Sequence, residues 1–302
     1  MDDPSAELET YRTLRLGMVA GGLLLGTGVI GYIASIGGQI PQSVSATFYT
    51  PIQTIFTGTL ILVGLALVAV KGRPGWENTL LDVAGVLIPM VAFVPTPIQD
   101  ATCVPEGKDC VPLPLVNGVG LNVGAYLTLG LVALGYLWMR RLLEGRNEEW
   151  DGPTTRGVAA LTAVWLLIVA VFFLARQQFL QYAHYASAIS FFVILGAVVF
   201  INASYTAPVE PAIDKPASWY RGWYRVIAWL MVGFAVFGVL VFAVTGTQNY
   251  VYTGAPSPFP VIFWVEVVLL TLFILYWILQ TSELWNQTVP GSTPKAEAAP
   301  QG

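Results

Sequence analysis

Apolar residues along this chain come in long unbroken blocks rather than in the alternating or one-face patterns of a soluble fold. Eight blocks stand out, at 16–37, 52–70, 79–97, 119–139, 157–175, 184–204, 224–245 and 260–281. At 1.5 Å of rise per residue, a helix of such length crosses about 30 Å of hydrocarbon. Lipid offers no hydrogen-bond partner, so a spanning backbone must satisfy itself within the helix. The pattern therefore predicts an all-α fold, a polytopic membrane helical bundle of about eight transmembrane helices. Pro89, near the middle of the third block, predicts a kink within one continuous span.

The polar stretches between the blocks carry the threading. With a cytoplasmic amino terminus, Arg12, Arg15, Lys71, Arg73, Arg140, Arg141, Arg146, Arg156, Lys215, Arg221, Arg225 and Lys295 fall inside, leaving Lys108 and Arg176 outside. Positive charge is retained on the cytoplasmic side of short loops, so this asymmetry predicts both termini inside, in a multi-pass protein of the cell (plasma) membrane. One span more or fewer would split the 140–156 and 215–225 basic clusters between the two sides. Trp219, Tyr220, Trp223 and Tyr224 at one end, and Tyr250, Tyr252, Phe259 and Trp264 at the other, match the headgroup preference of amphipathic rings. The acidic first residues and the absence of a small-residue cleavage site make the first block a retained span. The chain thus divides into a cytoplasmic segment 1–15, an eight-helix domain 16–285 and a disordered cytoplasmic tail 286–302, rich in Pro and small polar residues. No inverted repeat of the transporter kind is visible.

Composition agrees. Apolar residues make up 55% of the 302 and charged residues 11%, against about 25% charged in a soluble domain. A net charge of −4 without a basic cluster argues against nucleic acid as a partner and leaves membrane lipids, or other membrane subunits. One histidine and two cysteines are too few for a His-rich or Cys-rich zinc site, and no cofactor is expected. Cys103 and Cys110 share a short loop on the outer side, where oxidising conditions favour a disulfide; their spacing does not match a CxxC redox pair.

Glu266 is the clearest candidate for chemistry. It sits in the apolar run 263–268, roughly 9 Å inside the start of the last block, where an acid must be paired, protonated or solvated. His184 opens the sixth block at the same outer level, and Arg176 precedes it as a candidate counter-charge. The second block enters through Ser43, Ser45, Thr47, Tyr49, Thr50, Gln53 and Thr54, also at the outer side. A ligand pocket built from Ser45, Tyr49, Thr50, His184 and Glu266 is the functional reading. Capping hydroxyls, a packed histidine and a snorkelling arginine are the structural one. Asp82, three residues after Thr79, reads as part of a capping box at the inner end of the third helix. Gly17/Gly21, Gly22/Gly26 and Gly120/Gly124 repeat at the four-residue spacing that permits close helix approach.

Several strings taken in order, Ser45-Ala46-Thr47-Phe48-Tyr49-Thr50 with Phe56-Thr57-Gly58, Ala84-Gly85 ahead of Pro95-Thr96, His184-Tyr185-Ala186-Ser187-Ala188 with Phe191-Phe192, and Trp264-Val265-Glu266, resemble a broad family of uncharacterised prokaryotic eight-helix membrane proteins. That family is distantly similar to the superfamily of alkaline ceramidases and progestin/adiponectin receptors. Active members of the superfamily use a serine, an aspartate and three histidines around zinc. Here His184 stands alone, and Ser45 and Asp82 fall on opposite sides, so the resemblance does not carry the metal-dependent amidase mechanism.

These readings favour a non-catalytic protein that binds a lipid or hydrophobic partner in an outer-leaflet pocket. A lipid hydrolase or transferase with Glu266 or His184 as general base is the enzymatic alternative. A proton-coupled transporter titrating Glu266, or a structural subunit of a membrane complex, are the others.

Overall fold

A computed structural model describes residues 4–72, 75–103, 109–144, 152–205, 211–213, 215–245 and 260–286. Eight helices carry the fold: α1 (Pro4–Ser35), α2 (Gln53–Ala69), α3 (Trp76–Phe93), α4 (Leu113–Glu144), α5 (Gly152–Leu174), α6 (Arg176–Asn202), α7 (Ala217–Thr245) and α8 (Val261–Glu283). A 3-10 turn (Ser45–Tyr49) lies between α1 and α2, and a two-stranded antiparallel hairpin, β1 (Ile98–Gln99) with β2 (Asp109–Cys110), lies between α3 and α4. Seven of the helices are long and apolar enough to cross a membrane. α2, with 17 residues, is the shorter one, about 26 Å long.

Helix ends follow local chemistry. α1 stops where Gly37 and Gly38 take positive φ, with the Gly38 amide donating to the Ile33 carbonyl at 2.9 Å and the Gly37 amide to Ala34 at 3.3 Å, the two bonds of a Schellman ending. Gly75, at φ 107°, turns the chain into α3. α3 therefore begins before Thr79, which corrects the capping-box assignment: Asp82 lies a full turn and more inside the helix and accepts a 3.3 Å bond from Asn78 Nδ2. Residues 176–183, between the fifth and sixth apolar blocks, are helical, and Ala175 alone separates α5 from α6.

Six helices close a ring in which each packs on the next: α1 on α2, α2 on α3, α3 on α6, α6 on α7, α7 on α8, and α8 back on α1. Its interior is filled by Met18, Leu67, Leu195, Met231 and Trp277, all fully buried. α4 and α5 stand outside the ring against α3, around a second core that includes Val123, Leu127 and Trp165. Outward positions keep large apolar side chains exposed, among them Leu65, Leu121, Leu167 and Trp229, as a lipid-facing surface requires.

At the contact of α2 with α3, two glycines bring the backbones close together. A Cβ on Gly64 would stand 2.8 Å from the Gly85 carbonyl oxygen and 2.7 Å from Pro89 Cγ, and one on Gly85 would stand 2.9 Å from the Gly64 oxygen. Among the expected glycine pairs, Gly22 meets Ile274 and Gly120 meets the Arg176 guanidinium, while Gly17, Gly26 and Gly124 face open space. The four-residue spacing thus marked helix faces without identifying the tight contact. Pro89 packs in that contact and α3 continues through it.

The aromatic cluster on α7 also divides. Trp223 is exposed, but Tyr220 and Tyr224 are buried, with Tyr220 Oη donating to the Ile213 carbonyl at 2.9 Å. The tail from 287 onward, Tyr250, Tyr252, Phe259 and Lys108 lie outside the described residues.

Candidate functional site

The segment between α1 and α2 folds over one end of the ring. Short polar side chains tie its backbone: Thr47 Oγ1 donates to the Val44 carbonyl at 2.6 Å, Thr50 Oγ1 to Thr47 at 2.7 Å, and Ser43 Oγ accepts the Ala46 amide at 2.9 Å. Such local bonds favour tight turns over regular helix. The 3-10 turn they hold presents Ser45 to α8. Ser45 Oγ donates to Glu266 Oε1 at 2.7 Å, and the Ser45 amide donates to Oε2 at 3.2 Å. Glu266 is therefore held by Ser45 through both carboxylate oxygens, and the Val44 amide adds a further bond.

His184, 2% exposed, approaches from α6. Its Nδ1 lies 2.7 Å from the carbonyl oxygen of Val94, the residue that ends α3. The last carbonyls of a helix lack intrahelical donors. A carbonyl only accepts, so Nδ1 carries the proton and, in the neutral ring, Nε2 is the acceptor.

Ser45, His184 and Glu266 line one cavity of about 320 Å³. Its walls are apolar and come from all six ring helices, including Leu25, Phe56, Val91, Phe192, Phe242 and Val265. His184 and Glu266 share this space without a hydrogen bond between them. Tyr49 and Thr50, expected in the site, are not on the cavity wall. Tyr49 Oη donates to the Thr96 carbonyl at 2.7 Å, bracing the turn against the segment after α3, and burial pushes its phenol above the ordinary tyrosine range. Arg176 does not serve as a counter-charge: its guanidinium lies 4.6 Å from the centre of the Phe172 ring. Thr96, named in the sequence only within the Pro95-Thr96 string and not as a pocket residue, does line the cavity and is 6% exposed. Nothing in the one-dimensional pattern distinguishes it from other loop threonines.

Chemically, the polar residues on the cavity wall offer the Glu266 carboxyl, the His184 imidazole, the hydroxyls of Ser43, Ser45, Thr96 and Tyr185, and the Gln42 amide. Ser45 Oγ is committed to Glu266. Among the described residues, no group of three or more His, Cys, Asp or Glu side chains converges as a metal site would require.

A second polar cluster lies at the opposite end of the ring, among side chains the sequence analysis read as flanks or left aside. Arg15 is fully buried and donates from Nη1 to the Leu284 carbonyl at 3.2 Å. Asn202 Nδ2 lies 3.2 Å from Glu77 Oε1 and 3.2 Å from Tyr276 Oη, which also accepts from Gln280 Nε2 at 2.8 Å. Tyr224 Oη donates to Glu283 Oε2 at 2.6 Å. Nearby, Arg12 Nε donates to the Trp285 carbonyl at 2.7 Å with its guanidinium over the Trp285 ring. These bonds tie α1, α3, α6, α7 and α8 together. Polar residues at block edges are usually solvated, which is why their burial here was not legible.

Cys103 and Cys110 form the expected disulfide, in the hairpin where Ile98 pairs with Cys110. Asp100, within it, accepts from the Thr102 amide at 2.9 Å and from Thr102 Oγ1 at 2.6 Å, and these bonds hold its carboxyl below the usual carboxylate range.

Comparison of the chain with protein-family models, with curated proteins and with solved structures finds no match in any of the three.

Proposed function

We propose that this is an integral membrane protein of eight spans, both termini cytoplasmic, that binds a lipid or similarly hydrophobic small molecule in the cavity at the outer end of its helix ring. The observation that carries the reading is the cavity: about 320 Å³ of apolar space with Ser45, Thr96, His184 and Glu266 gathered at one end. Ligand sites are typically concave, mostly apolar and fitted with a few polar groups that orient the guest. The alternation of the ring helices supports the threading, since it brings the basic residues Arg12 and Arg15 to the end opposite Ser45, His184 and Glu266. The basic flanks favour a cytoplasmic assignment for that opposite end, and the disulfide between Cys103 and Cys110 suits an outer loop. The plasma membrane is the compartment this threading fits.

Native mass spectrometry of the purified full chain tests the reading. A defined lipid should co-purify, and the combined H184Q/E266Q variant should lose most of it. A protein that retains no lipid, or retains the same lipid unchanged in that variant, is not a binding protein of this kind.

A further inference from the structure

We infer that the cavity selects a single-chain lipid whose head group donates hydrogen bonds and bears no negative charge, of the monoacylglycerol or long-chain amine type. This rests on the cavity being the binding site proposed above.

Hydrogen-bonding capacity is left open at the polar end of the cavity. A carboxylate offers about four acceptor positions. The Ser45 hydroxyl, the Ser45 amide and the Val44 amide take three of these on Glu266, so acceptor capacity remains for a guest. The His184 ring is engaged by backbone carbonyls, Nδ1 with Val94 and the ring also with Val91, which leaves Glu266 as the main open acceptor. Thr96 Oγ1 is buried without a hydrogen-bond partner among the described residues, although the residue lines the same space. Gln42, Ser43 and Tyr185 on the same wall bring donors of their own, but Glu266 is its charged group and, as a carboxylate, only accepts. Buried polar atoms are normally satisfied, so the guest complementary to the open positions on Glu266 is one that brings hydroxyl or ammonium hydrogens.

Charge narrows the choice further. Among the described residues, Glu266 is on the wall and neither lysine nor arginine is. A phosphate or fatty-acid carboxylate would lie beside Glu266 in a low-dielectric site with no cation to offset it, whereas a neutral polyol or an ammonium meets no such opposition. Size restricts the tail. The cavity, at about 320 Å³, is at the lower end of ligand pockets and about twice the dry cavity that admits one benzene, which suits one chain and not two.

The test uses the full chain in detergent micelles and three probes of equal chain length: 1-monolauroylglycerol, dodecylamine and laurate, titrated by native mass spectrometry. Monolauroylglycerol and dodecylamine should bind, and laurate should bind about tenfold more weakly or not at all. T96V should weaken monolauroylglycerol about fivefold to tenfold, the worth of one hydrogen bond to a buried group. E266Q should weaken dodecylamine more than monolauroylglycerol, because it removes charge and keeps an acceptor. A188F, which fills the apolar part, should abolish both. Laurate binding as tightly as monolauroylglycerol, and still lost in A188F, would overturn the head-group inference and leave the site standing. Binding of none of the probes, or binding indifferent to A188F, would overturn both. Since T96V changes neither charge nor volume appreciably, it keeps the inference testable even if E266Q does not fold.

Discussion

Ser45 and Glu266 are 221 positions apart in sequence, and the serine contacts both carboxylate oxygens, through its hydroxyl at 2.7 Å and its amide at 3.2 Å. The pair joins the 3-10 turn before α2 to the first turns of α8 and closes the polar end of the cavity. S45A leaves the amide bond and removes the hydroxyl bond, and should lower stability by about 1–3 kcal/mol, the cost of leaving a buried acceptor short of a partner. In a double-mutant cycle with E266Q, followed by thermal unfolding in detergent, a coupling of about 0.5–3 kcal/mol is expected. Strict additivity would show that the two residues act independently.

The reciprocal approach of Gly64 and Gly85 leaves no room for a methyl group on either residue, because the opposing atoms are backbone oxygens and the Pro89 ring. G64A and G85A should each cost about 1–3 kcal/mol through overpacking. G58A, in the same helix α2 but facing open space, should be neutral or stabilising by up to about 1 kcal/mol. Equal melting temperatures for all three variants would remove the close approach as a structural determinant.

Asn202 links α6 to Glu77 on α3 and Tyr276 on α8. N202L is close in size but has no donors, so the groups it served are left short inside the bundle. A loss of about 1–3 kcal/mol is expected in the same unfolding assay. An unchanged midpoint would mean that the cluster opposite the cavity adds little to stability.

The disulfide closes a loop of seven positions in sequence, which by loop entropy is worth about 2–3 kcal/mol. Reduction should lower the melting temperature by the same amount as the C103S/C110S variant. After reduction in intact cells, a membrane-impermeant maleimide should label both cysteines. Labelling only after permeabilisation would reverse the threading.

Asp100 is stabilised as the carboxylate by Thr102. Because its pKa is lowered by folding, the stability it gives the hairpin is complete above the ordinary aspartate value of about 3.9 and disappears as pH falls through the lowered value. T102V removes the hydroxyl donor, so the Asp100 carboxyl should titrate at higher pH than in the wild type. Carboxyl ¹³C NMR reads this directly, and coincident titration curves would disprove the role of Thr102.

The helical class, the positions of the eight helices and the disulfide partners were legible in one dimension. So were Ser45, His184 and Glu266 as residues of interest, since an acid in an apolar run and hydroxyls at a helix entry stand out against their neighbours. Thr96, Tyr49 and Asn202 show the limit of that reading. Tyr49 was expected on the pocket wall and instead braces a turn, while nothing in sequence marked Thr96 for the cavity or Asn202 for a link among three helices; each outcome depends on which segment crosses the residue.

Hydrophobic blocks by themselves determined that this chain is an all-α bundle built to reside in lipid, because a backbone without water must satisfy its hydrogen bonds within each helix. Only the tertiary structure decided that six of the helices close a ring with α4 and α5 outside it. The tertiary structure also decided that Glu266 meets Ser45 and not Arg176. A helix sequence specifies which face is apolar. It does not specify its neighbour, since in lipid that choice rests on close packing such as Gly64 against Gly85 and on a few buried polar contacts whose partners are far apart in the chain.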